Sequence, residues 1–158
     1  MLKAAVHLKH FNITSVKDLW RAMWNPNMNP NDYIIVSFDV KQMFTSLPRS
    51  AIEEGVLGFI DMVGVQFKTR YFHMYKTEDK NAHVGKAPCL EQAWQATFLD
   101  IWHALEYEME YTVFKVGNKL KKMFEGLGIG GTMSPFGARA LCIFREHKWQ
   151  TSMRVDLT

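Results

Sequence analysis

Three features of the sequence predict an α/β domain of the α+β kind, with helices packed on a small mixed or antiparallel sheet. Tyr33–Phe38 and Glu110–Val116 are short runs rich in β-branched and aromatic residues, the composition of strands. Elsewhere apolar residues return every three or four positions, as at Ile52, Val56, Ile60 and Val63, the signature of a helix with one buried face. Asn-Pro and Gly-rich stretches separate these segments, and no repeat or low-complexity linker divides them. At 158 residues, 47% hydrophobic and 22% charged, the chain can bury a core and does not have the composition of a disordered protein. Residues 1–158 therefore read as one domain, of which 1–29 form an N-terminal helix and loop.

The first helix is predicted over Ser15 to Trp24, where Ser15 and Asp18 make a capping pattern and Val16, Leu19, Trp20 and Met23 share one face. Two prolines and four asparagines between Asn25 and Asp32 break it and lead into the Tyr33–Phe38 strand. Asp39 stands at that strand's carboxyl end. Pro48 is followed by a second capping pattern, Ser50 with Glu53, and then by the Ile52–Val63 helical stripe. Phe67 to Tyr75 has strand character, and Lys76 to Lys86 reads as a polar loop. Trp94, Phe98, Ile101, Trp102 and Leu105 form an apolar stripe that predicts a helix from about Leu90 to Glu106. Gly117-Asn118 is a turn between the Glu110–Val116 strand and a partner over Lys119–Phe124. After a glycine-rich loop, Ser134 and Pro135 have the chemistry of an N-cap and first helical residue. The helix they open should run to about Trp149 and bury Phe136, Ala140, Ile143 and Phe144.

The net charge of +3 is unevenly distributed: residues 1–110 carry 11 basic and 13 acidic side chains, residues 111–158 carry 8 and 3. A segment with that excess suits phosphate contact, although a solvated surface explains it equally well. Cys89 and Cys142 show no metal or disulfide spacing, which points to a reducing, intracellular setting. The basic, acid-free start Met1–Phe11 leaves a mitochondrial or other organellar destination open. No apolar run is long enough for a membrane span. Nothing in the spacing suggests a Cys-His or Ser-His-Asp nucleophile. The five tryptophans could stack bases, but their periodicity favours core or interface positions.

Two stretches carry more specific information. Phe38-Asp-Val-Lys-Gln-Met-Phe44-Thr-Ser-Leu-Pro48 resembles motif A of the reverse transcriptase palm. Gly126-Leu-Gly-Ile-Gly-Gly-Thr-Met-Ser134-Pro135, behind the hairpin Tyr111–Gly117, resembles motif B of the same family. The order of strand, Asp-bearing turn, helix, hairpin, glycine loop and Ser-Pro helix is similar to that of retroelement, group II intron and organellar enzymes, over roughly residues 30–150. Gly128 and Ile129 depart from the pattern, standing where many members carry Pro and Gln.

Polymerases of this family use two metal ions, which activate the primer hydroxyl and stabilise the departing pyrophosphate. The resemblance implies that Asp39 is a catalytic Mg²⁺ ligand, with the backbone carbonyl of Val40 as a further oxygen. It implies that Phe44 lies beneath the sugar as a gate, and that Gly128, Gly130, Gly131 and Ser134 meet the nucleotide or template. Lys122 and Arg139 are the candidates for phosphate. Read from the residues alone, Asp39 is a turn or cap residue, Phe44 a core residue and the glycine loop a connector. The family's third motif, with its adjacent aspartates, is not visible by Thr158, where Asp156 is followed by Leu157. The expectation is thus a palm fragment that binds RNA or an RNA/DNA duplex without independent polymerase activity. Should the native chain extend further, that becomes an RNA-directed DNA polymerase. The alternative is a structural subunit whose incomplete sheet is covered by a protein partner, as in a ribonucleoprotein.

Overall fold

A computed structural model describes residues 15–23, 29, 34, 36, 39–76, 83–84 and 93–155, with the side chains of 153–155 excepted. The elements follow in the order α1 (Val16–Met23), α2 (Arg49–Phe67), β1 (Tyr71–Tyr75), β2 (His83–Val84), β3 (Ala93–Thr97), α3 (Phe98–Tyr111), β4 (Val113–Val116), β5 (Lys119–Lys122) and α4 (Ser134–Val155). The class is α+β, and both sheets are antiparallel. One has the order β2-β1-β3, and the other is the β4-β5 hairpin.

Helix α1 begins as the sequence predicts. The Ser15 hydroxyl accepts the Asp18 amide at 3.1 Å and donates to its carboxylate at 2.7 Å. Its apolar face does not enter the core, since Val16 and Trp20 remain 83% and 59% exposed. Most of the predicted strand Tyr33–Phe38 lies outside the described residues. Ile34 and Val36, which are described, are exposed and belong to no regular element.

The N-cap of α2 lies two positions before the expected one. Pro48 precedes the first turn and its carbonyl accepts the amides of Ala51 and Ile52, so Ser50 falls inside the helix. The reason is Arg49, whose side chain is held at the end of α3. At the far end Lys68 adopts a left-handed conformation and its amide points back to the carbonyls of Gly64 and Val65. Strand β1 matches the latter part of the predicted Phe67–Tyr75 segment, whereas Phe67 completes α2. β2 falls within what the sequence presents as a polar loop.

The helix predicted from Leu90 to Glu106 needs correction at both ends, since α3 runs on to Tyr111 and takes Glu110 and Tyr111 from the predicted strand. Ala93–Thr97 is a strand, paired with all five residues of β1 from Tyr71↔Thr97 to Tyr75↔Ala93. Trp94 therefore leaves the helical stripe and is 62% exposed. Thr97 then caps α3: its hydroxyl accepts the Asp100 amide at 3.2 Å, while the Asp100 carboxylate accepts the Thr97 amide at 2.7 Å. The Thr97 amide and the Thr97 hydroxyl, which donates to the same carboxylate at 2.8 Å, hold the Asp100 carboxyl below its ordinary range.

The core lies between α2, α3 and α4, with the β1 sheet closing one side. Ile52, Phe59, Leu105 and Ile143 are almost wholly buried, each burial stabilising the fold by about 1.5–3 kcal/mol. α2 packs mainly on α4. Their backbones come close because Gly55 and Gly58 face Leu141 and Phe144; a Cβ at Gly55 would lie 2.8 Å from the Leu141 Cα. Phe72 ties the sheet to the helices by stacking on Phe98, with ring centroids 6.1 Å apart. Within α4, Ala140 and Ile143 are buried and Phe136 and Phe144 pack against the core, as their spacing predicts.

Candidate functional site

The two stretches that carry the resemblance meet in the structure. Residues Lys41–Thr45 form a turn in which the amides of Thr45 and Ser46 donate to the Gln42 carbonyl, each at 3.0 Å. The chain then presents two carbonyls to the glycine loop: Leu127 N–H donates to Phe44 O at 2.5 Å, and Gly126 N–H donates to Leu47 O at 2.9 Å. Leu127 is fully buried between them and the helices. Gly126 is required at this junction for two reasons. Its φ is 78°, and a Cβ would stand 2.3 Å from the Phe44 carbonyl oxygen.

The rest of the loop is fixed by a residue that sequence reasoning did not single out. Glu108, half-buried near the end of α3, accepts the Met133 amide at 2.9 Å and the Ser134 hydroxyl at 2.8 Å. Ser134 is 1% exposed. It is the first residue of α4, and the capping place belongs to Met133, whose carbonyl accepts the Gly137 amide. The predicted N-cap is therefore displaced by one position, because the Glu108 carboxylate claims the Ser134 hydroxyl. Gly131 sits against the same carboxylate, with no room for a Cβ.

A second anchor missed by sequence is Arg49. Its guanidinium donates to the carbonyls of Met109 at 2.5 Å and Met123 at 3.0 Å, and pairs with Glu110 at 3.1 Å. A cation at the carboxyl end of α3 satisfies helix-terminal carbonyls and opposes the negative end of the helix dipole. Lys122 also pairs with Glu110, and the Lys122 and Arg49 hydrogen bonds hold the Glu110 carboxyl below its ordinary range. Together these contacts clamp the root of the β4-β5 hairpin to α2 and α3. The only sequence signal for them is a basic residue after Pro48 and two acidic residues ahead of a strand, which is too common a pattern to single out.

The predicted site residues separate into two groups. Phe44, Gly128, Gly131 and Ser134 are at least partly buried along the junction, Phe44 packing on the core, while Gly130 is exposed. Asp39 and Val40 are exposed, and Arg139 is exposed on α4 with no ion pair among the described residues. No group of three or more His, Cys, Asp or Glu that could hold a metal occurs among the described residues. Asp39 and the Val40 carbonyl alone do not make a two-cation site. Of the five tryptophans, Trp102 is buried in the core, whereas Trp20, Trp94 and Trp149 are more than half exposed. A groove of about 960 Å³ between the end of α2 and the start of α3, lined by Ile60, Lys68, Arg70 and Leu99 among others, contains none of the predicted site residues. No helix among the described residues is long and apolar enough to cross a membrane. No family model, curated protein or solved structure matches the chain.

Proposed function

We propose that the chain is a reverse-transcriptase-like palm fragment that binds RNA or an RNA/DNA duplex and does not polymerise independently. The observation that supports this reading most is the junction at Phe44 and Leu127. The Asp-bearing turn and the glycine loop are far apart in sequence and resemble neighbouring motifs of one family, and here they are joined by two backbone hydrogen bonds. The surplus of positive charge in residues 111–158 supports the nucleic-acid part. Asp39 is the one metal-ligating carboxylate that the resemblance assigns within these residues. If the native chain runs past Thr158, other carboxylates could join Asp39 around Mg²⁺, with Phe44 as sugar gate. Two bound cations would then activate the primer hydroxyl and stabilise pyrophosphate. The test is gel-shift binding of a labelled RNA/DNA hybrid, with Mg²⁺-dependent primer extension measured on the protein from its native source. Hybrid binding without extension by residues 1–158 supports the reading. Should the native protein extend primers, Asp39→Ala must abolish that activity. Absence of hybrid binding at low salt removes the reading.

A second reading, a structural subunit that keeps a degenerate polymerase fold, is favoured by a specific surface. Met74 and Trp94, directly paired on strands β1 and β3 and so on one face of the sheet, are 43% and 62% exposed, an apolar area that a protein partner could cover. Solubility that depends on such a partner, without affinity for RNA, would favour this alternative.

A further inference from the structure

We propose that the β4-β5 hairpin is the element that grips nucleic acid, with Phe114 stacking on a base and Lys119 and Lys121 meeting successive phosphates of a single strand. This rests on the nucleic-acid reading above and assigns it to particular side chains.

Every residue of both strands is exposed, so the hairpin contributes neither face to the core. The register Phe114↔Lys121 and Val116↔Lys119 places Phe114, Val116, Lys119 and Lys121 on one face. Directly opposed residues stand about 4.5–5.5 Å apart at Cβ, which puts Lys121 beside the ring of Phe114, itself 46% exposed, with Lys119 diagonal to it at about 7–8 Å. Lys119 and Lys121, two positions apart on one strand, are separated by about 7 Å, a step suited to neighbouring phosphates of an extended strand. On the other face Lys122 is already paired with Glu110, whereas Lys119 and Lys121 have no ion pair among the described residues. Exposed apolar side chains flanked by cations are the composition of a single-strand platform, where bases stack and the backbone follows positive charge.

The hairpin is also pre-positioned. Arg49 fixes the Met109 and Met123 carbonyls on either side of its root, and Met123 N–H donates to Thr112 O at 3.0 Å. A rigid root means that little order is lost when a ligand binds. Charge argues against a second copy of the chain as occupant: lysines along a strand edge oppose edge-to-edge pairing and repel a like-charged hairpin.

The experiment is fluorescence anisotropy of a fluorescein-labelled single-stranded oligouridylate titrated with the full chain between 50 and 200 mM salt, those concentrations bracketing the range over which phosphate contacts lose most of their affinity. Wild-type protein, Lys119→Gln/Lys121→Gln, Phe114→Ala and a distant charge control, Lys17→Gln/Lys68→Gln, are compared, with circular dichroism melting to verify folding. The double-lysine variant should bind roughly tenfold or more weakly at the lower salt, with the slope of log K against log salt reduced by about 1.4, since each phosphate contact on a single strand contributes about 0.7. Phe114→Ala should lose about tenfold in affinity at unchanged slope. The control pair should bind like wild type. If wild type binds and the hairpin variants match it, the hairpin assignment is overturned while nucleic-acid binding stands. If wild type fails to bind the oligouridylate at low salt, the hairpin assignment falls, and the broader reading is decided by the hybrid gel shift. Self-association that disappears in Phe114→Ala, seen by sedimentation without RNA binding, would overturn the proposal in favour of a protein contact.

Discussion

The amide of Leu127 donates a 2.5 Å hydrogen bond to the carbonyl of Phe44, joining the turn after Asp39 to the glycine loop that precedes α4. This bond and its neighbour from Gly126 to Leu47 decide which of the candidate residues lie together. Phe44, Gly128, Gly131 and Ser134 form one partly buried seam, while Asp39 stands outside it in solvent.

Gly126 and Gly117 offer a comparison that separates backbone strain from collision. Both have positive φ, 78° and 59°, but a Cβ at Gly126 would strike the Phe44 carbonyl and one at Gly117 would meet nothing. Gly117→Ala should lower stability by about 1–2 kcal/mol, the cost of a left-handed alanine. Gly126→Ala should cost clearly more, because the junction must also open. Urea denaturation of both variants checks the order, and equal losses would show that the close approach at Gly126 is not tight.

Glu108 is predicted to hold the glycine loop on α4. Glu108→Ala leaves the buried Ser134 hydroxyl and the Met133 amide without their acceptor, and should reduce stability by about 2–3 kcal/mol. Glu108→Gln keeps one acceptor oxygen and should lose less. Chemical denaturation midpoints measure the difference, and an unchanged midpoint in the alanine variant would contradict the arrangement.

The Glu110 carboxyl titrates below its ordinary range because of Lys122 first and Arg49 second. A depressed folded-state value means that its contribution is complete above the unfolded-state value near 4.5 and is lost as pH falls through the folded one. Thermal melts of wild type should therefore decline in acid below that point. Lys122→Met with Arg49→Met, and separately Glu110→Gln, should each flatten this part of the profile relative to wild type, and an identical acid decline in all three proteins would contradict the pairing.

Thr97 marks a boundary that hydrophobic periodicity obscures. Thr97→Ala removes the hydroxyl that accepts the Asp100 amide and should cost about 1 kcal/mol. Calorimetric melting gives the value. A loss near zero would mean that α3 starts without its cap.

Legibility in the sequence followed the range of the forces involved. Helix α1, the body of α2, the β4-β5 hairpin and α4 rest on local capping, turn chemistry and periodicity, and were predictable from those. β3 was not, because Trp94 continues the spacing of Phe98 and Ile101, and only pairing with β1 makes it a strand. Gln95-Ala-Thr97-Phe-Leu-Asp100 is misleading at first sight, yet Thr97 with Asp100 is a capping pattern that could have located the start of α3. The seam between the two stretches was visible in the sequence only as residue types in order. Glu108 and Arg49, which position the seam through contacts distant in sequence, were not, since nothing near them in the chain indicates where their charges end up.

Amide hydrogen exchange at Gly126 and Leu127, followed in the intact chain with and without an RNA/DNA hybrid, tests the central claim most directly. The account predicts that both amides are protected in the free protein by the Leu47 and Phe44 carbonyls, and that added hybrid increases protection along residues 126–134. Exchange at unstructured rates in the free chain would contradict the junction. Protected amides that do not respond to hybrid would leave the seam standing as structure and contradict its role in binding nucleic acid.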